Sequence, residues 1–327
     1  MGYAKESSFS FLTKRNPMEN QDGFALLVVL IIIAILTPLV VNMSYKTRVH
    51  IAGADYFTSK VKSMELARAG LESAMLALKE DKNKEYDSYL EDWGKFEELS
   101  LFSETFFEEG SFTGRIYDEE GKFNVTRLSR DSTLHGQLEI LLQQIGADPD
   151  ILDALMDWLD IDSEVNLTGA EDYYYSSMKN PYYSKDGMMD NIYELRLIKG
   201  MSDDIFLGNE ESHGIADFVA VRGTETRVNI NTAPFEVIMA LAEGMDSITA
   251  EEIISQREEE PFYSVEDIQK IKSMDSDLMD AIKSRIKVTS NYFSINIMGY
   301  FRDVSTNINA LVNRSGDSIR IVHINEV

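Results

Sequence analysis

An uninterrupted apolar run near the N-terminus, FALLVVLIIIAILTPLVV over residues 24–41, is the strongest constraint on the fold of this chain. A helix needs about 20 apolar residues to cross the hydrocarbon core of a bilayer, and roughly 17 at the least. The run meets this requirement, with help from Met43 and Tyr45, and membrane helices tolerate a proline such as Pro38. We therefore expect a membrane-anchored helix that carries a water-soluble head.

A polar leader precedes this run and ends at Gly23, directly before Phe24. A secretory signal peptide has the opposite order, with its apolar core ahead of a small-residue cleavage site. Cleavage between Gly23 and Phe24 would remove the leader and keep the apolar segment as the new N-terminus. This arrangement is typical of a type IV prepilin leader and predicts a prepilin peptidase as a partner. A plain signal anchor is the alternative, but it gives no reason for the Gly-Phe boundary.

The composition limits the functions open to the head. The chain has 56 acidic and 31 basic residues and a net charge of −25, so its surface repels phosphate and disfavours nucleic acid as a partner. Such a surface suits divalent cations or basic partner surfaces. There is no cysteine, which excludes disulfides and thiolate metal sites, and the four histidines lack zinc spacing. Since no nucleophile, base and orienting group are clustered in the sequence, we expect a protein that is not an enzyme.

Hydrophobic periodicity predicts one helix from Phe24 to about Lys79, followed by an acidic, aromatic loop with a short helix over 81–110. Strands are expected at 111–117 and 122–126, with a turn between them. Further helices are predicted at 134–145, 150–159 (with Asp150 as N-cap), 192–198, 231–244, 249–258, 265–271 and 278–286, and further strands at 287–290, 292–298 and 318–324.

This order predicts an α+β protein in which a large, mainly helical domain is inserted into an α+β domain. The expected parts are a leader over 1–23, a transmembrane and spine helix over 24–80, a head over 81–127 and 289–327, and the inserted domain over 128–288.

Six sequence blocks resemble the general secretion pathway protein K family, the large minor pseudopilins of type II secretion. The blocks are GFALLVVL from Gly23, DEEGKFN from Asp118, DWLDID from Asp157, GAEDYY from Gly169, ELRL from Glu194 and NINTAP from Asn229. They extend over nearly the whole mature chain. Each block alone is a weak signal, but their shared order is specific.

The resemblance implies a type IV pilin-like fold, with a long N-terminal helix and an antiparallel sheet. It implies a non-enzymatic subunit at the tip of the pseudopilus that supports protein export across the outer membrane. The expected partners are I-type and J-type minor pseudopilins, the major pseudopilin and the inner membrane, which the chain crosses once with its C-terminal head in the periplasm. The alternatives are a minor pilin of a type IV pilus and, in a different class, a DNA-uptake receptor.

Val28 stands at the fifth position of the predicted mature chain, where major pilins carry a glutamate that meets a neighbour's N-terminal amine. An uncompensated amine is costly in an apolar environment, so Val28 suits a subunit with nothing above it. Asp22 departs from the basic residue common before the cleavage site, which bears on how efficiently the leader is removed.

An acidic loop follows the second predicted helix of the inserted domain. Asp160, Asp162 and Glu164 alternate, and Glu171 is twelfth counting from Asp160, which matches the oxygen-donor spacing of a calcium loop. Val165 replaces the glycine of an EF-hand, so the loop is not one. The resemblance favours calcium over a solvated acidic loop, and magnesium fits less well because it demands a stricter octahedron. The candidate ligands are Asp157, Asp160, Asp162, Glu164, Glu171 and Asp172.

Residues 229–267 also resemble the helix-hairpin-helix domains of DNA-binding competence proteins. The hairpin Gly244-Met-Asp246 would place a carboxylate where a phosphate docks, and six glutamates surround it, so we interpret the segment as a packing unit. Five tyrosines between 173 and 183 form either a partner surface or a cover for the acidic loop.

Overall fold

The computed structural model describes residues 19–210, 212–223 and 225–326, with side chains from residue 23 onward. Residues 1–18 of the predicted leader lie outside this range. The α-helices are α1 Glu19–Lys79, α2 Phe96–Ser100, α3 Ser132–Gln144, α4 Ile151–Leu159, α5 Asp172–Ser176, α6 Asp203–Leu207, α7 Phe235–Met239, α8 Ser247–Glu259 and α9 Ser276–Lys283, and the helices predicted at 192–198 and 265–271 are the 3-10 helices Ile192–Leu197 and Val265–Lys270. The strands are β1 Gly110–Asp118, β2 Phe123–Asn124, β3 Val219–Ala220, β4 Val228–Asn229, β5 Ile286–Lys287, β6 Tyr292–Phe301, β7 Val304–Ser315 and β8 Ser318–Glu326.

The chain divides into two compact units between Thr58 and Ser59. In the first unit α1 continues through Pro38, as predicted. Its most apolar stretch of 18 residues has a mean hydropathy of 3.2 and is not buried by other residues. By length and composition, this part of α1 is able to cross a membrane.

In the second unit, β1, β6, β7 and β8 form an antiparallel sheet in the order β1-β6-β7-β8. Alternate residues of β6, among them Phe293, Ile295 and Ile297, are buried in a cluster with Ala67 and Leu71 of α1. Helix and strand approach so closely that a Cβ on Gly299 would lie 2.2 Å from the backbone oxygen of Ser63. The sheet thus packs on the C-terminal part of α1, as expected of the predicted α+β head.

Strand β7 was not predicted, although it pairs with both β6 and β8. Its buried residues alternate, but Thr306 and Arg314 occupy two of the inward positions. These polar side chains are held by specific partners: the Thr306 hydroxyl lies 2.6 Å from that of Ser63, and Arg314 pairs with acidic residues. Two inward positions of this strand are thus polar, and the partners that make this possible are distant in sequence. The hydrophobic alternation of the strand is therefore not visible in the local sequence.

The helices and short strands between residues 123 and 288 enclose a second hydrophobic cluster. Helices α3, α4, α8 and α9 confirm the predicted ones within a few residues. Two predictions are wrong in extent. The strand predicted at 122–126 is only Phe123–Asn124 and pairs in parallel with β3, because the chain turns away from the main sheet. The helix predicted at 231–244 is only Phe235–Met239, which begins directly after Pro234 and ends where Ala240 leaves the helical conformation.

Two smaller differences concern the N-cap of α4 and the length of a strand. Asp150 precedes α4, but its side chain makes no capping hydrogen bond because its backbone is itself helical. The strand predicted at 287–290 is the two-residue β5, which pairs in parallel with β4. The predicted domain boundaries stay predictions, although Phe123 and Val125 already belong to the second cluster before residue 128.

A buried polar network connects the end of β1 with the segments that follow β4 and β5. The Asp118 carboxylate accepts hydrogen bonds from Asn229 Nδ2 at 2.8 Å, Thr232 Oγ1 at 2.7 Å and Ser290 Oγ at 2.6 Å. Nearby, Lys287 donates to Glu120 at 2.8 Å, in an ion pair that is almost fully buried. Two blocks that are over a hundred residues apart in sequence, DEEGKFN and NINTAP, therefore meet in the folded chain.

Candidate metal site

Three carboxylates converge at the end of α4. Helix α4 ends at Leu159, which places Asp160 and Asp162 in the loop that follows, and Glu171 immediately precedes α5. One oxygen from each of Asp160, Asp162 and Glu171 lies within 4.8 Å of the other two. The folded loop therefore gathers three negative charges around one point.

Two buried oxygens of this group, Asp160 Oδ1 and Glu171 Oε1, accept no hydrogen bond from any residue that the structure describes. Burial, reinforced by the neighbouring carboxylates, raises the pKa of Asp160 to about 6 and that of Glu171 to about 7. The charged neighbours that contribute to these two pKa shifts are all acidic, so none of them supplies a positive counter-charge to Asp160 or Glu171.

The loop around the group is held by hydrogen bonds to its flanks. Asp157 is fully buried and accepts from the Asn166 backbone at 3.2 Å and from Asn166 Nδ2 at 2.6 Å. Lys199 Nζ donates at 2.9 Å to the carbonyls of Thr168 and Gly169. A Cβ on Gly169 would lie only 1.9 Å from Asp157 Oδ2, so this position requires glycine. These hydrogen bonds therefore fix the conformation of the loop that carries the carboxylates.

The remaining predicted ligands have other surroundings. The Asp157 carboxylate accepts a hydrogen bond from Asn166. Asp172 Oδ1 accepts hydrogen bonds from the Ser184 backbone at 2.9 Å and from the Ser184 hydroxyl at 2.7 Å. Glu164 is exposed and lies outside the group of three. Asp186 was not among the predicted ligands, although its charge raises the pKa of both Asp160 and Glu171. Its only local signal is the turn-forming Asp-Gly pair, consistent with a φ of +50°.

The tyrosines between residues 173 and 183 differ in burial. Tyr175 is buried and makes an edge contact with Trp158 of α4, with 5.3 Å between ring centroids, and Tyr182 stacks on Tyr175 at 5.2 Å. These two rings support the segment that carries Glu171. Tyr173 and Tyr183, in contrast, are exposed.

A second acidic group, Asp81, Asp87 and Glu91, already has a cation. Arg314 donates to Asp81 Oδ2 at 2.9 Å and also pairs with Asp87, while Glu91 accepts from Trp93 Nε1 at 3.0 Å. In this group an arginine side chain supplies a positive charge to two of the three carboxylates.

The group at Asp160, Asp162 and Glu171 fits calcium. Its donors are all carboxylate oxygens, which hard cations prefer, and calcium accepts the irregular geometry that a loop supplies. The two buried oxygens without partners are the observation that favours an ion over a solvated loop.

Comparisons with known proteins agree with the fold and the sequence blocks. Two family models described as "Type II secretion system (T2SS), protein K" match residues 121–208 and 228–289. Type II secretion system protein K of Aeromonas hydrophila is 24% identical over 325 residues, covering 91% of this chain and 94% of the relative. The chain belongs to the type II secretion system protein K family.

Other relatives and a solved structure extend the match. Protein K of Pseudomonas aeruginosa is 27% identical over 262 residues, covering 76% of each chain, and that of Pectobacterium carotovorum is 25% identical over 232 residues, covering 65% of this chain and 69% of the relative. A chain of the GspK-GspI-GspJ complex from enterotoxigenic Escherichia coli superposes with a TM-score of 0.64 at 19% identity, covering 86% of this chain and 99% of that one. This similarity confirms the predicted fold class.

Each family match contains one feature of interest. The match at 121–208 contains the acidic loop, and the match at 228–289 contains the hairpin that resembles a DNA-binding motif. In that hairpin Asp246 Oδ1 accepts from the Thr249 backbone at 2.8 Å and caps α8. A carboxylate therefore occupies the helix N-terminus at which a DNA phosphate would bind.

Proposed function

We propose that this chain is a non-enzymatic minor pseudopilin of a type II secretion machine, where it supports protein export across the outer membrane. The observation that carries the proposal is its membership of the protein K family, with a match that extends over nearly the whole chain. The apolar part of α1 that lies in the first unit of the chain supports a single-pass anchor in the inner membrane, and the head then lies in the periplasm.

The position proposed for the subunit is the tip of the pseudopilus. Val28 gives no carboxylate to a neighbour's N-terminal amine, which is compatible with a subunit that has none above it. The helical block over 123–288 also makes the head bulky for repeated stacking along a shaft. The proposed partners are I-type and J-type minor pseudopilins and the major pseudopilin. The related solved chain is from a GspK-GspI-GspJ complex, which supports this choice.

Calcium is the proposed cofactor. Asp160, Asp162 and Glu171 would hold the ion, and its role is structural: it would neutralise three carboxylates and fix the loop between α4 and α5. Asp157 and Asp172 would position the loop through the hydrogen bonds that they accept.

Purification from native membranes tests the partner assignment. The full chain, tagged at its C-terminus, should co-purify with I-type and J-type pseudopilins in detergent, and the amounts should exceed that of the major pseudopilin. The tip position predicts this order, whereas a shaft position predicts an excess of the major subunit. Recovery of type IV pilus subunits in place of pseudopilins would contradict the proposal.

The same preparation tests leader removal. A prepilin peptidase cutting between Gly23 and Phe24 should leave Phe24 as the first residue, so the intact mass should correspond to residues 24–327. A chain that still carries residues 1–23 in cells containing the peptidase would contradict the predicted cleavage, and Asp22→Lys would then show whether Asp22 is responsible.

A further inference from the structure

A polar cleft lies on the face of the antiparallel sheet that points away from α1. In β6 the residues packed on α1 alternate with Ser294 and Asn296, which face the opposite way. This outer face and the segment that begins at Asn191 enclose a cavity of about 390 Å³, which shares part of its lining with a smaller cavity of about 180 Å³. The larger cavity is therefore within the size range of sites that bind small ligands.

A row of three asparagines crosses this cleft. Asn296 of β6 is paired in register with Asn309 of β7, and Asn309 is paired with Asn325 of β8. Neighbouring strands are about 4.8 Å apart, so the row extends about 10 Å, close to the length of two linked sugar rings. Asn296 Nδ2 donates to Asn309 Oδ1 at 2.6 Å, which orients these two side chains. The cleft thus presents side-chain amides from three adjacent strands.

Much of the hydrogen-bonding capacity of the cleft is available to a ligand. A carboxamide offers two donors and an acceptor oxygen. Asn325 and His323 line the cleft, and neither side chain forms a hydrogen bond within the part of the chain that the structure describes. Asn191 Oδ1 accepts from the Tyr193 backbone at 2.9 Å, while its Nδ2 donors have no partner among the described residues. A ligand rich in hydroxyl or amide groups would satisfy these donors and acceptors.

Two tyrosines line the cleft beside these polar groups. The ring of Tyr117 lies 5.5 Å from the guanidinium carbon of Arg115, whose charge is paired with Glu97 at 3.1 Å. Tyr193 is 60% exposed, and its ring packs against Phe206 with 5.7 Å between the centroids. Tyrosine rings supply a large apolar contact area at a low cost in conformational entropy. Rings held in this way suit the apolar C–H faces of sugar rings.

The cleft is uncharged, although the chain has a net charge of −25. The described residues that line the larger cavity include no Asp, Glu, Lys or Arg. The smaller cavity includes Glu119, Lys122 and Asp190, but each of them has a partner of opposite charge. Lys122 lies 3.4 Å from Glu119, and Asp190 pairs with Lys185 and Arg222. A charged ligand would lose its hydration here without gaining a counter-charge, so the cleft favours a neutral one.

We propose that this cleft binds a neutral oligosaccharide. Sugar hydroxyl and acetamido groups donate and accept hydrogen bonds, as the asparagine side chains do, and the ring faces stack on tyrosine. An extended peptide fits the cleft less well. Peptide recognition uses an exposed sheet edge and pockets for alternate side chains, whereas the asparagine row lies on the face of a sheet. The inference goes beyond the proposed function and does not depend on it.

Titration of the full chain with two neutral tetrasaccharides tests the ligand class. The probes are chitotetraose, which carries acetamido groups, and cellotetraose, which does not, in a detergent without a sugar headgroup. Calorimetry and saturation-transfer NMR should show saturable binding of at least one probe, with a Kd on the order of 1 mM. The anionic tetragalacturonate should bind at least about tenfold more weakly. Absence of saturable binding for both neutral probes, or equal binding of the anionic one, would overturn the inference.

Variants of the cleft test where the probe binds. Asn325→Ala removes an exposed amide of the asparagine row, Tyr193→Ala removes an exposed ring, and each should weaken binding about fivefold to tenfold. Asn180→Ala and Tyr183→Ala are matched controls at exposed positions outside the cleft lining, and they should bind as the parent does. All four variants should melt within about 2 °C of the parent, because exposed substitutions seldom alter stability. If the two cleft variants bind the probe as tightly as the parent, the cleft is not the binding site and the inference fails.

Discussion

Asp118→Ala should be among the most destabilising single substitutions in the head. It removes the acceptor of three buried donors, Asn229 Nδ2, Thr232 Oγ1 and Ser290 Oγ, from a site that water does not reach. Each buried donor left without its acceptor costs about 1–3 kcal/mol, so the loss of three hydrogen bonds should cost at least about 3 kcal/mol. At roughly 2–4 °C for each kcal/mol in a domain of this size, the melting temperature should fall by roughly 10 °C.

The measurement is thermal unfolding of the full-length protein in detergent micelles, followed by near-UV circular dichroism. Asp317→Ala is the matched control, because it removes an aspartate whose ion pair with Lys84 is exposed. Exposed pairs contribute at most about 1 kcal/mol, so this variant should melt close to the parent. Equal melting temperatures for both variants would show that the network does not stabilise the contact between β1 and the segments after β4 and β5.

Removal of calcium should produce the second large effect. An ion that binds only the folded protein stabilises it by about 2.7 kcal/mol when its free concentration is a hundred times the dissociation constant. Chelation should therefore lower the melting temperature by roughly 5–10 °C. The loop over 160–171 should loosen first, because Asp160, Asp162 and Glu171 are left close together without a counter-charge.

Two neighbouring variants make this test specific. Asp162→Ala removes one oxygen donor of the group and should abolish most of the response to chelator. Glu164→Ala removes a carboxylate two residues away that lies outside the group, and it should respond as the parent does. Coinciding melting curves with calcium and with chelator for the parent would mean that the loop is a solvated acidic face.

The sequence predicted the features that depend on local patterns. Residues close together in sequence define the apolar run of α1, the amphipathic helices and the alternating strands β1 and β6. The spacing of Asp160, Asp162 and Glu171 likewise suggested a shared site, and the fold brings these three carboxylates together. Calcium itself stays a prediction.

Features that depend on distant partners escaped prediction. Arg314 is an inward-facing residue of β7 only because Asp81 and Asp87 neutralise it, and neither lies near it in sequence. Asp186 approaches the acidic group through the path of the chain between α5 and α6, which no local spacing encodes. Glu164 fits the calcium-loop spacing but not the group, because regular spacing does not fix the course of an irregular loop.

Deletion of the gene for this chain, in the organism that encodes it, tests the central claim most directly. The measurement is the amount of each type II secretion substrate in the culture supernatant and in the periplasm, compared by quantitative mass spectrometry. A minor pseudopilin predicts loss of these proteins from the supernatant with accumulation in the periplasm. Rescue should require the full chain, and a version that begins at Lys46 and lacks the anchor should fail. Unchanged secretion in the deletion strain would contradict the account.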